Sequence, residues 1–431
     1  MTRRPVFFSE AMTKAAAIAV GARVGGVRPL LIRDLRGKIS IALNVNRKDH
    51  ASEISRLESE IAQLHAFAGS MGVVCADDLF DAGEIFGDPA IVEVREGDFD
   101  VSLLDRQVTG QDWSMTRSSS GSSKPPRLVF YGLKGGVGRS TALAILAYEL
   151  ANKGKRVLLI DLDLESPGLS GLLIPPEHLA DFGVADWLVE DAVGQGDEVI
   201  GRMVRDSPIS RDLRSPIRVA AAAGKGDGGY IEKLSRVYGD ITVSGRPRRF
   251  TERIRQLVER LEAEEKPDVV LIDSRAGLHD LAALSIVGLA STALLFATHS
   301  EQTWQGYGTL FGYWQDRPKV VRGVRDRLKM VDALFPETEQ AIRSAQFLDR
   351  SYRLFTERLY DPIKAGETGE DAFNYTLNES TGPHFPLRIL WNRRFQEFNP
   401  LEPSVLDHDS IRAAYGNFID GAEQLIKGEE E

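Results

Sequence analysis

Leu128-Val129-Phe130-Tyr131-Gly132-Leu133-Lys134-Gly135-Gly136-Val137-Gly138-Arg139-Ser140-Thr141 is the stretch whose reading decides the fold. Four apolar residues, Leu128–Tyr131, read as a short buried strand, and Ala142–Ala151 reads as a helix with Leu143, Ile145, Leu146 and Leu150 on it. Between them, closely spaced glycines let the backbone curl so that successive N–H groups point at one centre. The helix that follows adds the positive end of its dipole. Strand, glycine-rich loop and helix together predict a phosphate-binding loop rather than a plain turn. Ser140 is placed to offer a hydroxyl to Mg²⁺ beside the phosphates.

Outward from this loop, short apolar runs alternate with longer helical segments. The runs are Leu128–Tyr131, Val157–Ile160, Ile217–Ala221, Val269–Ile272, Ala293–Ala297 and Leu387–Trp391, with a further candidate at Leu328–Leu334. Buried strands separated by helices predict an α/β fold, a mostly parallel sheet with helices on both faces. The charged segment from about 316 to 383 is expected to be a mostly helical insertion. Ser114–Pro126, rich in Ser and Gly and closed by two prolines, is expected to be a flexible linker. The expected organisation is a small α/β domain over 1–113, the linker over 114–126, and the phosphate-loop domain over 127–431.

In the first domain Ile39, Ile41, Leu43 and Val45 alternate as in a half-buried strand, and Ile54, Leu57, Ile61, Leu64 and Phe67 recur at helical spacing. Extended stretches follow around Ile91–Val94 and Val101–Leu104. No chemical motif is visible there, and an interaction or regulatory role is the expectation.

Composition narrows the function classes. The 431 residues are 42% apolar and 27% charged, as in soluble globular proteins. A net charge of −10 argues against broad coating of nucleic acid or anionic membrane. Cys75 is the single cysteine, so one chain has neither a disulfide framework nor paired thiolates for zinc or an iron–sulfur cluster. No run approaches the ~18 apolar residues of a membrane span. The first residues lack the apolar core of a signal peptide, and the final Glu429-Glu430-Glu431 is unlike a membrane-seeking tail. A cytoplasmic protein with no membrane contact is expected.

Lys134–Thr141 (KGGVGRST) resembles the deviant Walker A motif, KGGxGK[ST], of the ParA/MinD-like P-loop ATPases. The resemblance implies ATP and Mg²⁺ as cofactors, with Gly135, Gly136, Val137, Gly138, Arg139, Ser140 and Thr141 around the phosphates. It also implies an ATP-dependent homodimer in which Lys134 reaches the partner's phosphates. Val157–Asp163 matches a second motif of the family, which gives Asp163 the part of orienting or activating the attacking water and sets Asp161 near the metal. Pro267–Asp273 resembles Walker B, with Asp273 holding Mg²⁺ through water. Leu387–Trp391 leads to Asn392 where relatives place a loop against the base, so Asn392 is carried over as an adenine contact.

Two departures stand out. Ser274-Arg275-Ala276-Gly277 replaces the DxPPG that is common among relatives, and Arg275 is expected in a structural ion pair, with a contact to phosphate or a partner subunit as the alternative. Arg139 occupies the ordinary P-loop lysine position. Its planar fork binds phosphate but is bulkier than lysine. Lys134, Arg139 and Asp163 are the expected catalytic residues, and Ser140, Asp161 and Asp273 the expected metal ligands. The KGGVGR variant with Asp161–Ser170 also resembles a bacterial subgroup of the class.

Three functions follow as expectations. The favoured one is a slow ATPase switch that binds ATP or ADP, dimerises and signals to an unidentified protein partner through its N-terminal domain. The second is a partition-like ATPase that binds DNA non-specifically through Arg246, Arg248, Arg249, Arg253 and Arg255. The net charge disfavours it. The third is a nucleotide-binding scaffold with little hydrolysis, for which Arg139 is the support.

Overall fold

The computed structural model describes residues 4–430 apart from 23, 116–124, 227–228, 244–245, 337 and 364–371. Most of the expected linker, 116–124, therefore lies outside the described residues. The chain divides into two compact units, one of residues 1–116 with 311–323, the other of 117–310 with 324–431.

The second unit is built on strands β6 (Arg127–Gly132), β7 (Val157–Asp161), β8 (Val204–Asp206), β9 (Ile217–Ala220), β12 (Val269–Asp273), β13 (Thr292–Ala297), β14 (Leu328–Phe335) and β15 (Leu387–Leu390). They form one sheet in the order β15-β14-β13-β6-β12-β7-β9-β8. All neighbours run parallel except β8, which closes the edge antiparallel to β9. Every residue of β6, β7, β12 and β13 is buried, as expected of strands covered on both faces.

Strand alternation sets which layer each residue meets. Leu128 and Phe130 pack with the helices Arg139–Asn152 and His408–Glu430 through Leu143, Ile145, Ile411, Phe418 and Ile419. Tyr131 points the opposite way and meets Tyr307 of the helix Glu301–Gln315, their rings 6.3 Å apart. The other end of β6 is tied by a bidentate pair. Arg127 Nε and Nη2 donate to Glu262 Oε1 and Oε2 at 2.6 and 2.7 Å, both side chains buried, from strand to the helix Phe250–Glu265. A separate ribbon joins β10 (Ile241–Val243) and β11 (Arg246–Arg248).

The first unit has its own mixed sheet of β1 (Leu30–Arg33), β2 (Ile39–Leu43), β3 (Ala68–Cys75), β4 (Ile91–Glu96) and β5 (Phe99–Asp105), in the order β3-β2-β1-β5-β4. The alanine-rich helix Phe8–Gly21 and the helix Ala51–Ile61 cover one face. Alanines at 11, 15, 16 and 19 give that helix a thin, fully buried side and a high intrinsic propensity.

Several elements differ from the sequence expectation. The helix expected from Ala142 begins at Arg139, because Arg139-Ser140-Thr141 form its first turn without apolar periodicity. The helical spacing of 54–67 is broken after Ile61 by a 3-10 segment in which His65 turns to φ 53°. Val45 lies beyond β2. The insertion holds helices Pro318–Val324 and Gln340–Arg358 around β14, whereas 372–386 contains no helix.

The Arg127–Glu262 pair gives a direct stability test. Glu262→Ala leaves a buried guanidinium without its partner and should cost about 3–5 kcal/mol, whereas Arg127→Met with Glu262→Leu should recover most of that loss. Denaturant midpoints of the three variants decide it, and an unchanged midpoint in Glu262→Ala would show that the pair is solvated.

Candidate functional site

The parallel strands of the second unit deliver their C-terminal ends to one edge of the sheet. Beyond β6 the chain turns back on itself at Gly132, where an added Cβ would sit 3.2 Å from Val137 Cγ2 and 3.3 Å from Arg139 Cδ. Gly136 and Gly138 take φ of +74° and +79°, a region that side chains other than glycine's rarely adopt. On its outer side the loop is open, since a Cβ at Gly135 or Gly136 would meet nothing within 4 Å. Val137 is buried, whereas Thr141 is half-buried in the first turn of the helix. That turn's N–H groups lack intrahelical partners and face the loop.

Two acids end adjacent strands in register, Asp161 on β7 and Asp273 on β12. Burial pushes the carboxyl of each above the ordinary range. Beside Asp161 the charge of Asp273 adds to the rise, whereas the Ser170 hydrogen bonds oppose it. For Asp273, Arg139 and the Ser140 hydroxyl oppose it. Their surroundings differ. Asp161 accepts from Asp163 N at 3.1 Å, Ser170 N at 3.0 Å and Ser170 Oγ at 2.6 Å, so it braces the turn after β7. Asp273 Oδ2 accepts from Ser140 Oγ at 2.6 Å, while its buried Oδ1 has no partner. An unsatisfied buried carboxylate oxygen beside a serine hydroxyl fits a hydrated divalent cation.

Arg139 is buried and donates through Nη1 to the carbonyl of Ser274. Its Nη2 lies 3.6 Å from Asp163 Oδ2. Burial raises the Asp163 carboxyl above its usual value, and Arg139 and Arg275 oppose that rise. Arg275 itself is paired with Glu165, which also accepts from the Tyr238 hydroxyl and has His279 Nε2 at 3.9 Å. Lys134 is exposed, and its ammonium donates to Gln302 Oε1.

The structure therefore brings together Lys134, Arg139, Ser140, Asp161, Asp163 and Asp273 around one loop. Asn392 follows β15, where its side-chain oxygen caps the next turn by accepting from Arg394 N at 2.9 Å. From the neighbouring β14, Leu334 presses on the loop. It holds φ of +55°, and its Cδ2 lies 3.4 Å from a Cβ built at Gly138. Neither Leu334 nor Gln302 carries a motif that marks it in the sequence. The basic cluster proposed for DNA is partly spent inside the fold. Arg253 is fully buried on Asp191 and the Leu188 carbonyl, and Arg248 donates to Asp191 and Gln256.

Residues 128–275, which contain the loop and the three acids, match the family described as the CobQ/CobB/MinD/ParA nucleotide binding domain. That stretch is similar to a ParA/MinD-type nucleotide-binding domain. Among solved structures it is similar to a ParA family ATPase from Chlorobium tepidum, at 17% identity over 69% of this chain and 98% of that one, with a TM-score of 0.43. It is also similar to the cell division protein MinD of Aquifex aeolicus, at 18% identity over 70% and 97% of the two chains and a TM-score of 0.43. Cobyrinic acid a,c-diamide synthase from Mycobacterium smegmatis, solved with ADP and magnesium, matches at 18% identity over 70% and 96%, with a TM-score of 0.40. No curated protein matches the chain. Among the described residues no helix is long and apolar enough to cross a membrane.

The acids of this P-loop domain give a pH prediction. With folded values raised, Asp161 and Asp273 keep protons that the unfolded chain has lost above about pH 4. Stability of the nucleotide-free protein therefore falls as pH rises from there toward neutrality. Asp273→Asn should flatten part of that slope and stabilise the nucleotide-free protein at pH 7 by on the order of 1 kcal/mol. Thermal melts across pH check this, and a variant that is destabilised at pH 7 would refute it.

Proposed function

We propose that the protein is a slow, Mg²⁺-dependent ATPase switch that closes into a nucleotide-sandwich dimer and signals to a protein partner through its N-terminal unit. The observation that carries the reading is the convergence of Ser140, Asp273, Asp163 and Arg139 at the mouth of one open glycine loop. Phosphoryl transfer asks for this set: positioned amides and cations for phosphate, a site for the metal, and an acid for the attacking water.

In this reading the loop amides from Gly135 to Thr141 cradle the phosphates and Asn392 lies toward the base. Ser140 and Asp273 are the residues that would hold Mg²⁺, with Asp161 bracing the strand end behind them. Bound there, Mg²⁺ would supply positive charge against the phosphates. Arg139 leaves Asp163 for phosphate, and Asp163, freed from that cation, orients the attacking water and accepts its proton. Lys134 exchanges Gln302 for the partner's phosphates, as the resemblance to the deviant Walker A class implies. ADP leaves these contacts incomplete, which makes the assembly a switch.

A second reading has its own observation. Arg139 is held by the Ser274 carbonyl and lies close to Asp163. If the guanidinium keeps that place, it quenches the acid meant for water, and the protein becomes a nucleotide-gated scaffold.

ATP binding, steady-state turnover and mass in solution, measured with Mg²⁺ on one preparation, separate the two readings. The switch predicts turnover with ATP-dependent dimerisation, whereas tight binding without turnover favours the scaffold. Asp163→Ala should lower turnover by about 10²-fold or more and accumulate the ATP-bound dimer. Lys134→Ala should lose both turnover and dimer, and normal hydrolysis by that variant would refute the cross-dimer role. Arg139→Lys reads the departure itself: a rise in turnover identifies arginine as a brake, and a fall shows a site built around the guanidinium.

A further inference from the structure

The helix Glu301–Gln315 belongs to both units. Residues 301–310 cluster with the phosphate-loop unit, and 311–315 with the N-terminal one. Its first turns touch the loop at two places four residues apart, hence on one helix face. Gln302 accepts from Lys134, and Gly306 receives Leu133, whose Cδ1 would lie 2.7 Å from a Cβ at that position. Behind this face Tyr307 is fully buried and donates to the Phe296 carbonyl at 2.9 Å, which fixes the helix on β13.

The last turn is anchored within the first unit. Trp314 is fully buried, its Nε1 donates to the Trp113 carbonyl at 3.2 Å, and the two indole rings lie 6.0 Å apart. Tyr313 and Ser114 share a hydrogen bond between hydroxyls. Just beyond the helix, Asp316 O accepts from Arg95 N of β4 at 2.7 Å, so the chain there is hydrogen-bonded to the edge of the N-terminal sheet.

Between the two anchors the helix carries glycines at 308 and 312 that no packing requires, since a Cβ at either would meet nothing within 4 Å. Glycine loosens a helix interior, and here no steric demand explains it.

We propose that this helix couples the phosphate loop to the N-terminal unit, with Gln302 as the positioning residue that holds Lys134 in the resting chain and Gly308 and Gly312 as the compliant segment. The inference rests on the nucleotide-switch reading and adds the regulation of its site. When Lys134 turns to phosphate it releases Gln302, the first turn loses its tie to the loop, and the softened helix passes the change to the Trp113–Trp314 end.

Hydrogen exchange of the full chain, with and without a non-hydrolysable ATP analogue and Mg²⁺, tests this, with analogue affinity measured in parallel. In the wild type, binding should change exchange across 311–323 and Ile91–Asp105 as well as around the loop. Gly308→Ala with Gly312→Ala should leave analogue affinity within about twofold and cut the response at 311–323 at least threefold, because alanine stiffens the helix without touching a neighbour. Gln302→Glu, which turns the resting contact into an ion pair, should raise the analogue concentration needed for half response by about threefold, and Gln302→Ala should lower it. A purely structural glutamine would not shift the two variants in opposite directions. The coupling is overturned if the analogue binds but 311–323 does not respond, or if the double alanine variant responds like the wild type. An analogue that does not bind at all would overturn the nucleotide reading itself, and the coupling with it.

Discussion

Two carboxylates with almost no exposure stand side by side at the ends of β7 and β12, in the middle of the sheet. Bringing like charges together away from water is unfavourable, so everything around them is arranged to support the arrangement. Asp161 is met by three protein donors, two of them from Ser170, whose Oγ in turn accepts from Ala222 N at 3.0 Å beyond the end of β9. Asp273 is only half met, by Ser140. The asymmetry divides the work: one acid holds the sheet edge in shape, and the other keeps an oxygen in reserve. The proposed Mg²⁺ site rests on that open oxygen of Asp273, whereas the hydrogen bonds on Asp161 come from the protein itself.

The fork of Arg139 follows from the same constraint. A lysine at this position presents a compact point charge, whereas the planar guanidinium spans the Ser274 carbonyl and the neighbourhood of Asp163 together. It thereby helps to neutralise a mouth that holds three buried acids. These contacts oppose the entry of phosphate, which in the proposed ATPase would slow turnover.

The parts of this structure that were legible in the sequence are those where one strong physical rule acts alone. β6, β7, β12 and β13 are continuous apolar runs because both faces are covered, and the loop is marked by glycines that its positive φ values require. What escaped reading depends on long-range partners. β8 is three residues, Val204-Arg205-Asp206, that become a strand only by pairing with β9. β11 reads Arg-Pro-Arg and looks basic and irregular until its pairing with β10 is seen. The three polar residues that open the phosphate helix hide its true start. Gln302 and Leu334 approach the loop from later parts of the chain, and no local pattern announces a contact made across about 170 or 200 positions.

Among the described residues three cations at the mouth are engaged within the protein: Lys134 by Gln302, Arg139 by Ser274 and Asp163, Arg275 by Glu165. A ligand shifts an equilibrium only through the difference between the contacts it makes in each state. In the proposed switch a phosphate competes with partners that are already present, so its binding would free an amide, a carbonyl or a carboxylate somewhere else. The acceptors released lie on different elements, the helix Glu301–Gln315, the turn after β12 and the turn after β7. In that proposal an incoming charge would be converted into changes on several elements at once, and this, more than affinity alone, is what a switch needs.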